Sequence, residues 1–385
     1  MPGQGAYPIE GYEPLTLPLN WCDDKPLSLY LDVLRFGAAF TVFLSHCGRV
    51  TAGMFWQIQP YGVTAVFVFF VLSGFVIAWV TATREGTLEE YALSRVARLY
   101  SVVLPVLIAT AVLDHIAMAI DPSLYGPEPL PIMSRDPLYA VLGYALSAVF
   151  LSECWSWIVP GSNGPWWSVN YEAWYYVLFG VATFMRGRQR MVALAVAALV
   201  AGPPILIFFP LWLMGLTAWR WRTLLPNQLG APLAIGAVAA FIGLEALGGQ
   251  NLFQIVSSFW LPGNFSAYAY IVGALVALFI VGLANAPLPM PGSMVERPIR
   301  FLAGTTFGLY LLHFPLLLFF GTVIPGPADR TSHRVLVFGL TLGVAIALSH
   351  VIEQQKRPLK RALRSGLDLV RRRRLRPALE RQGLP

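Results

Sequence analysis

The stretch from Gly62 to Ala82 reads GVTAVFVFFVLSGFVIAWVTA and carries no ionisable side chain. As a helix it is about 30 Å long, the thickness of the hydrocarbon core of a bilayer. In lipid every backbone N–H and C=O must be bonded within the protein, so such a run reads as a transmembrane helix. Comparable blocks lie on both sides: Leu29–Val50 before it, then Leu99–Ile120, Trp166–Met185, Tyr268–Ala286, Phe301–Val323 and Val335–Ile352. Of the 385 residues 56% are hydrophobic and 12% charged, against about a quarter charged in a soluble domain. A soluble α/β enzyme, which interrupts its apolar runs with charges far more often, is excluded.

Charge orients the chain. The formal net charge of +7 is concentrated after the last block, in Lys356, Arg357, Lys360, Arg361, Arg364, Arg371, Arg372, Arg373, Arg374, Arg376 and Arg381. Beside a membrane helix such a tail marks the cytoplasmic face and meets anionic headgroups, so no nucleic-acid partner is expected. With the N-terminus cytoplasmic, the loop Arg84–Arg98 falls inside, as do Arg186, Arg188, Arg190, Arg220, Arg222, Arg297 and Arg300. Arg49, Arg135, Arg330 and Arg334 fall outside.

This balance treats Leu138–Ile158 as a re-entrant or interfacial segment. Counted as a full span with all else unchanged, it would put the basic tail outside; if Gln189–Trp221 then crossed only once, arginines would still be misplaced. Gly202, Pro203, Pro204 and Pro210 interrupt Met191–Trp221, which reads as two short helices around the Gly-Pro-Pro break. The expected fold is an all-α integral membrane protein of about ten transmembrane helices with both termini cytoplasmic. A cytoplasmic tail over 1–28 precedes a membrane domain over 29–353 and a basic cytoplasmic tail over 354–385. Met1–Pro26 lacks the basic-then-apolar order of a cleaved signal peptide. Cys22, Cys47 and Cys154 have neither metal-ligand nor redox spacing.

Ionisable groups inside a span cost roughly a few kcal/mol or more and usually face the protein interior. The first span holds Asp32, Arg35 and His46. At 100° per residue His46 lies about 20° past three full turns from Arg35, and Asp32 about 60° from Arg35. One polar stripe therefore runs about 20 Å along this helix. The block from Trp166 opens WWSVNYEAWYY. Trp166 and Trp167 suit an aromatic belt at the interface, an account that leaves Glu172 unexplained. His313, between Tyr310 and Pro315, reads by itself as a hydrogen-bonded packing residue, as do His115 and His350 near span ends.

Several short motifs follow one another. Leu31–Arg35 (LDVLR) is followed by Ser45-His46, and Gly62 opens a run that closes on Ser73-Gly74-Phe75. Ser94–Tyr100 (SRVARLY), Trp167–Glu172 (WSVNYE), Tyr310–His313 (YLLH) and Ile352-Glu353 come after them. In this order, over roughly Leu29 to Arg361, they resemble the acyltransferase-3 family of integral membrane O-acyltransferases, which modify surface polysaccharides, lipopolysaccharide, peptidoglycan or macrolides. Ser94 stands where the family usually has a further Arg, Ser101 where it has a Pro, and Ala173 where a second acid is common.

The resemblance implies an acyl-CoA donor, usually acetyl-CoA, reached from the cytoplasm as a co-substrate, with no other cofactor and no metal. It implies a carbohydrate or glycolipid acceptor, membrane lipids as surroundings, a bacterial inner (cell) membrane as location, and is compatible with a homo-oligomer. His46 is the expected general base for the acceptor hydroxyl, or the nucleophile that forms an acyl-imidazole. Imidazole suits either task because its unperturbed pKa is about 6.5. Arg35 is expected to hold the donor's phosphates or stabilise charge at the thioester, with Asp32 orienting it. Arg95 and Arg98 are either partners of the CoA phosphates or ordinary cytoplasmic loop charge. Glu172 is expected to orient His46 or bind the acceptor, and Ser73, Tyr310 and His313 complete the substrate-binding set. A transporter or flippase is the rival class for buried charges; the motifs and the lack of an inverted repeat argue against it.

Overall fold

A computed structural model describes residues 25–125, 137–252 and 267–381. Residues 1–24, with Cys22, and Arg135 lie outside the described residues, as do the side chains of Arg372, Arg373, Arg374, Arg376 and Arg381. Among the described residues all regular structure is helical, and eight helices are long and apolar enough to cross a membrane.

The first two, α1 (Lys25–Cys47) and α2 (Gly62–Arg84), match the first two apolar blocks. The third, α3 (Leu88–Ile120), begins well before its block. The Glu90 N–H donates to Thr87 Oγ1 at 3.2 Å. Glu89 and Glu90 occupy the first turn, where carboxylates complement the helix dipole. Arg95 and Arg98 are thus helical residues, not members of the Arg84–Arg98 loop to which the charge count assigned them.

The following segment forms a helix of 12 residues, α4 (Pro137–Ala148), about 18 Å long and too short to cross. The loop after it folds into the bundle: Ser152, Ser162 and Asn163 are all 0% exposed. Asp114 of α3 anchors this loop, accepting from the Ser162 N–H at 2.7 Å and its hydroxyl at 2.6 Å. The loop delivers Trp166 to a site where it is 0% exposed, so the aromatic-belt reading of this residue is wrong. It is a core residue at the head of α5 (Trp167–Phe184).

α6 (Gly187–Trp221) is broken at Gly202, whose φ of +78° is not helical. Its first half runs back along α5, with Arg188, Val192 and Val196 beside Val181, Val177 and Trp174. Its second half runs in the direction of α5: the Tyr175 hydroxyl donates to Ile205 O at 2.9 Å, and Phe179 packs on Trp212 at 5.2 Å. The chain therefore reverses at Gly202, as the Gly-Pro-Pro break predicts. A left-handed φ suits glycine, and a Cβ here would meet the Trp155 ring at 2.9 Å. This second half meets α2 backbone to backbone, because Gly74 lies against Trp212 O and Gly215 against Val71 O.

α7 (Asn227–Ala246), the short α8 (Gly249–Leu252) and α9 (Ala267–Asn285) flank this core. The block Phe301–Val323 proves to be two elements, α10 (Ser293–Ala303) and α11 (Thr306–Val323), separated at Gly304-Thr305. Glu353, near the end of α12 (Thr331–Gln354), accepts from the N–H groups of Phe307 and Gly308 at 3.1 Å each. It satisfies donors that a helix start leaves open, which is why α11 can begin inside the bundle. α13 (Lys356–Arg381) then lies against α3, with Lys360 donating to Ser94 Oγ at 2.6 Å.

The two ends of the bundle differ in charge. Arg84, Arg98, Arg188, Arg220, Arg300 and Lys356 gather where α1, α3, α7 and α11 start and α2, α5 and α12 end. Arg49, Arg330 and Arg334 lie at the opposite end.

Candidate functional site

A cavity of about 90 Å³ lies in the half of the bundle nearer its basic end, between α1, α2, α3, α5 and α11. Each helix contributes polar groups to an otherwise apolar wall: Arg35, Ser73, Arg95 and Arg98, Ser168, Glu172 and Tyr176, and Tyr310. Six of the nine expected site residues therefore meet here, from five helices.

Glu172 is the hub on α5. It accepts from the Ser73 hydroxyl at 2.9 Å and from the Tyr176 hydroxyl one turn further along its own helix. Trp212 Nε1 donates to Ser73 Oγ at 3.2 Å, so the glycine-mediated approach of α2 and α6 also fixes the rotamer of Ser73. Arg35 and Arg98 lie within electrostatic range of Glu172. Of the two roles expected for Glu172, orienting His46 or binding the acceptor, the first has no hydrogen bond behind it: the carboxylate accepts from a hydroxyl of α2 and one of α5.

The two arginines of α3 differ. Arg95 is bound to Glu85 at 2.5 Å, lies between the rings of Tyr91 and Tyr176, and leaves 10% of its side chain exposed. Arg98 lies over the Phe307 ring at 5.7 Å, within electrostatic range of Glu172 and Glu353, and forms no ion pair within 4 Å among the described residues. Arg98 is thus the α3 cation left available to an anionic ligand, while the charge of Arg95 is already neutralised.

Asp32 is tied mainly to another helix. Arg300 of α10 donates to it at 2.6 Å and to Ser28 Oγ at 2.6 Å, whereas Arg35 stands 3.5 Å away. Its main role is to dock α10 on α1, and its hold on Arg35 is secondary. Arg35 keeps 23% of its side chain exposed in the cavity.

His46 lies three turns beyond Arg35, about 16 Å along α1, outside the cavity wall. What connects them is α11. The Tyr310 hydroxyl lies 2.7 Å from Ser168 Oγ and donates to Pro165 O at 3.0 Å. Its ring centroid is 6.1 Å from that of His313, which in turn is 5.1 Å from that of His46. His313 Nε2 is 3.2 Å from His46 Nδ1. A polar line thus runs from the cavity through Tyr310 to a pair of imidazoles. His313 is buried and hydrogen-bonded to the backbone of its own helix, as a packing residue would be, and its other ring nitrogen is aimed at His46.

Tyr176 was within reach of sequence reasoning, since it sits four residues after Glu172 on one helix face. Ser168 belongs to the WSVNYE motif but carried no assigned role. Arg300 and Trp212 had no sequence signal, for their partners are on helices remote in the chain.

A family model described as an acyltransferase domain matches residues 28–350. No curated protein and no solved structure matches. The family match spans α1 to α12 and takes in every residue of the cavity and the histidine pair. The chain belongs to the acyltransferase-3 family and is a multi-pass integral membrane protein.

Proposed function

We propose that this protein transfers an acyl group, acetyl in the first instance, from acyl-CoA to a hydroxyl of a carbohydrate-containing acceptor such as a surface polysaccharide or its lipid-linked precursor. The observation that carries the reading is the cavity: apolar walls, Arg35 and Arg98 only weakly paired at the basic end, and a line of side chains leading through Tyr310 and His313 to His46. Guanidinium groups suit the phosphates of a coenzyme, and the apolar wall of Phe69, Leu72 and Val76 suits an extended thioester arm. His46 takes the proton of the acceptor hydroxyl while that oxygen attacks the thioester carbonyl.

The same reading has about ten crossings, with both termini and the basic end cytoplasmic, in a bacterial inner membrane. Counting α5 as a span and each half of α6 separately adds two to the eight apolar helices. The arginine asymmetry supports the orientation. Acyl-CoA made in the cytoplasm then meets the arginines first.

The test is acyl transfer in membranes carrying the protein, using radiolabelled acetyl-CoA, with wild type beside His46→Ala at matched expression. Label entering a glycan or lipid fraction with wild type alone is expected. Equal labelling by both would remove His46 from the chemistry, and labelling by neither would overturn acetyl transfer to an acceptor in those membranes.

A further inference from the structure

We infer that His313 is a positioning residue for this reaction, which braces the His46 ring from behind and shares the proton charge that His46 acquires; the inference rests on the proposed role of His46 as base. The hydrogen-bond geometry leaves little freedom. His313 Nδ1 lies 2.7 Å from Tyr310 O and 3.3 Å from Leu309 O. Carbonyl oxygens only accept, so this nitrogen carries the proton, and the neutral ring offers the lone pair of Nε2. That lone pair faces His46 Nδ1 at 3.2 Å.

The other neighbours of His46 Nδ1 are also acceptors. Val42 O is 2.9 Å away, and Ser45 Oγ, which gives its own proton to Val42 O at 2.7 Å, is 3.4 Å away. His46 Nδ1 therefore bears the proton and its Nε2 is the free base, with no hydrogen-bond partner among the described residues. His313 is 0% exposed and braced edge-on against Phe43, whereas His46 is only half-buried. One imidazole is partly exposed and the other is locked behind it.

Val42 O by itself would select the tautomer. What His313 adds is a nitrogen acceptor for the charged form. As the acceptor O–H bond breaks, its proton joins His46 Nε2 and the oxygen's electron pair forms the new C–O bond to the thioester carbon. The Nδ1–H of the imidazolium then bonds His313 Nε2 more strongly, as charge-assisted hydrogen bonds do. When the C–S bond breaks, the proton on Nε2 passes to the departing sulfur, giving free thiol and neutral His46. A residue that merely packs would need no such aim.

The test is steady-state kinetics of labelled acetyl transfer from acetyl-CoA in membranes carrying the full-length protein at matched expression, comparing wild type with His313→Gln, His313→Asn and His313→Leu. A Gln carboxamide reaches the place of Nε2 and can accept there; an Asn is too short and a Leu cannot accept. We expect kcat to fall about 10–100-fold in His313→Leu and His313→Asn, with KM for acetyl-CoA held within about twofold, and His313→Gln to recover most of the loss. Unchanged kcat in His313→Leu would overturn the inference, as would equal impairment of Gln and Asn, which are comparably polar and test it even if Leu does not fold. An inactive wild type would instead bring down the acyl-transfer reading, and this inference with it.

Discussion

Ser73 of α2 donates its hydroxyl proton to Glu172 of α5 at 2.9 Å, so two short motifs almost a hundred residues apart meet in a single hydrogen bond. The same carboxylate accepts from Tyr176 and lies within electrostatic range of Arg35 and Arg98. It is both the acceptor for two hydroxyls and a counter-charge to the cavity's arginines.

Glu172→Ala removes both functions. Leaving buried partners of a charged group unsatisfied costs about 2–3 kcal/mol, so transfer should fall roughly 30–160-fold. Glu172→Gln keeps an acceptor for Ser73 and loses only the charge, so it should retain more activity than the alanine variant. Initial rates at saturating acetyl-CoA measure the difference; identical rates for the two variants would mean that the charge alone matters.

Arg95 and Arg98, one turn apart, should fail in different ways. Arg95→Ala leaves Glu85 buried without its partner, a change that costs about 3–5 kcal/mol, and should reduce the yield of folded protein. Arg98→Ala breaks no ion pair among the described residues and should leave folding intact while raising KM for acetyl-CoA about tenfold, the loss of one charge-assisted contact. Size-exclusion profiles and donor titrations of the two variants separate these outcomes; an Arg98→Ala protein with unchanged KM would take this residue out of donor binding.

Gly74→Ala places a methyl group against the carbonyl oxygen of Trp212, where no flexible side chain can yield. Overpacking of this kind costs about 1–3 kcal/mol. The variant should unfold at lower temperature in detergent. It should also lose activity beyond what its folded fraction explains, because the same helix contact seats Ser73 beside Trp212. Gly37→Ala, which meets nothing within 4 Å, is the matched control and should behave as wild type.

Helix positions were largely legible in advance, and their ends were less so. Apolar runs report where a helix is in lipid, but they do not report where it stops when polar residues continue it. α3 extends into its basic stretch because Thr87 and Glu90 cap it, and Phe301–Val323 divides because Glu353, from a distant helix, caps a new start. Trp166 reads as an interfacial residue by composition, yet the loop anchored by Asp114 carries it into the core.

The amino-acid sequence by itself determined that this chain is helical and crosses a membrane. It also determined that Asp32, Arg35 and His46 share a face of α1, because hydropathy and the 3.6-residue period are local properties. The motif order was enough to suggest the family. Only the tertiary structure decided which helices are neighbours, and with that which buried groups pair: Asp32 with Arg300, Glu172 with Ser73 and Tyr176, and His46 with His313. Each buried polar group must find its partner inside the bundle. Those partners come from segments remote in the chain, brought together by backbone contacts such as Gly74 against Trp212 that no local pattern encodes.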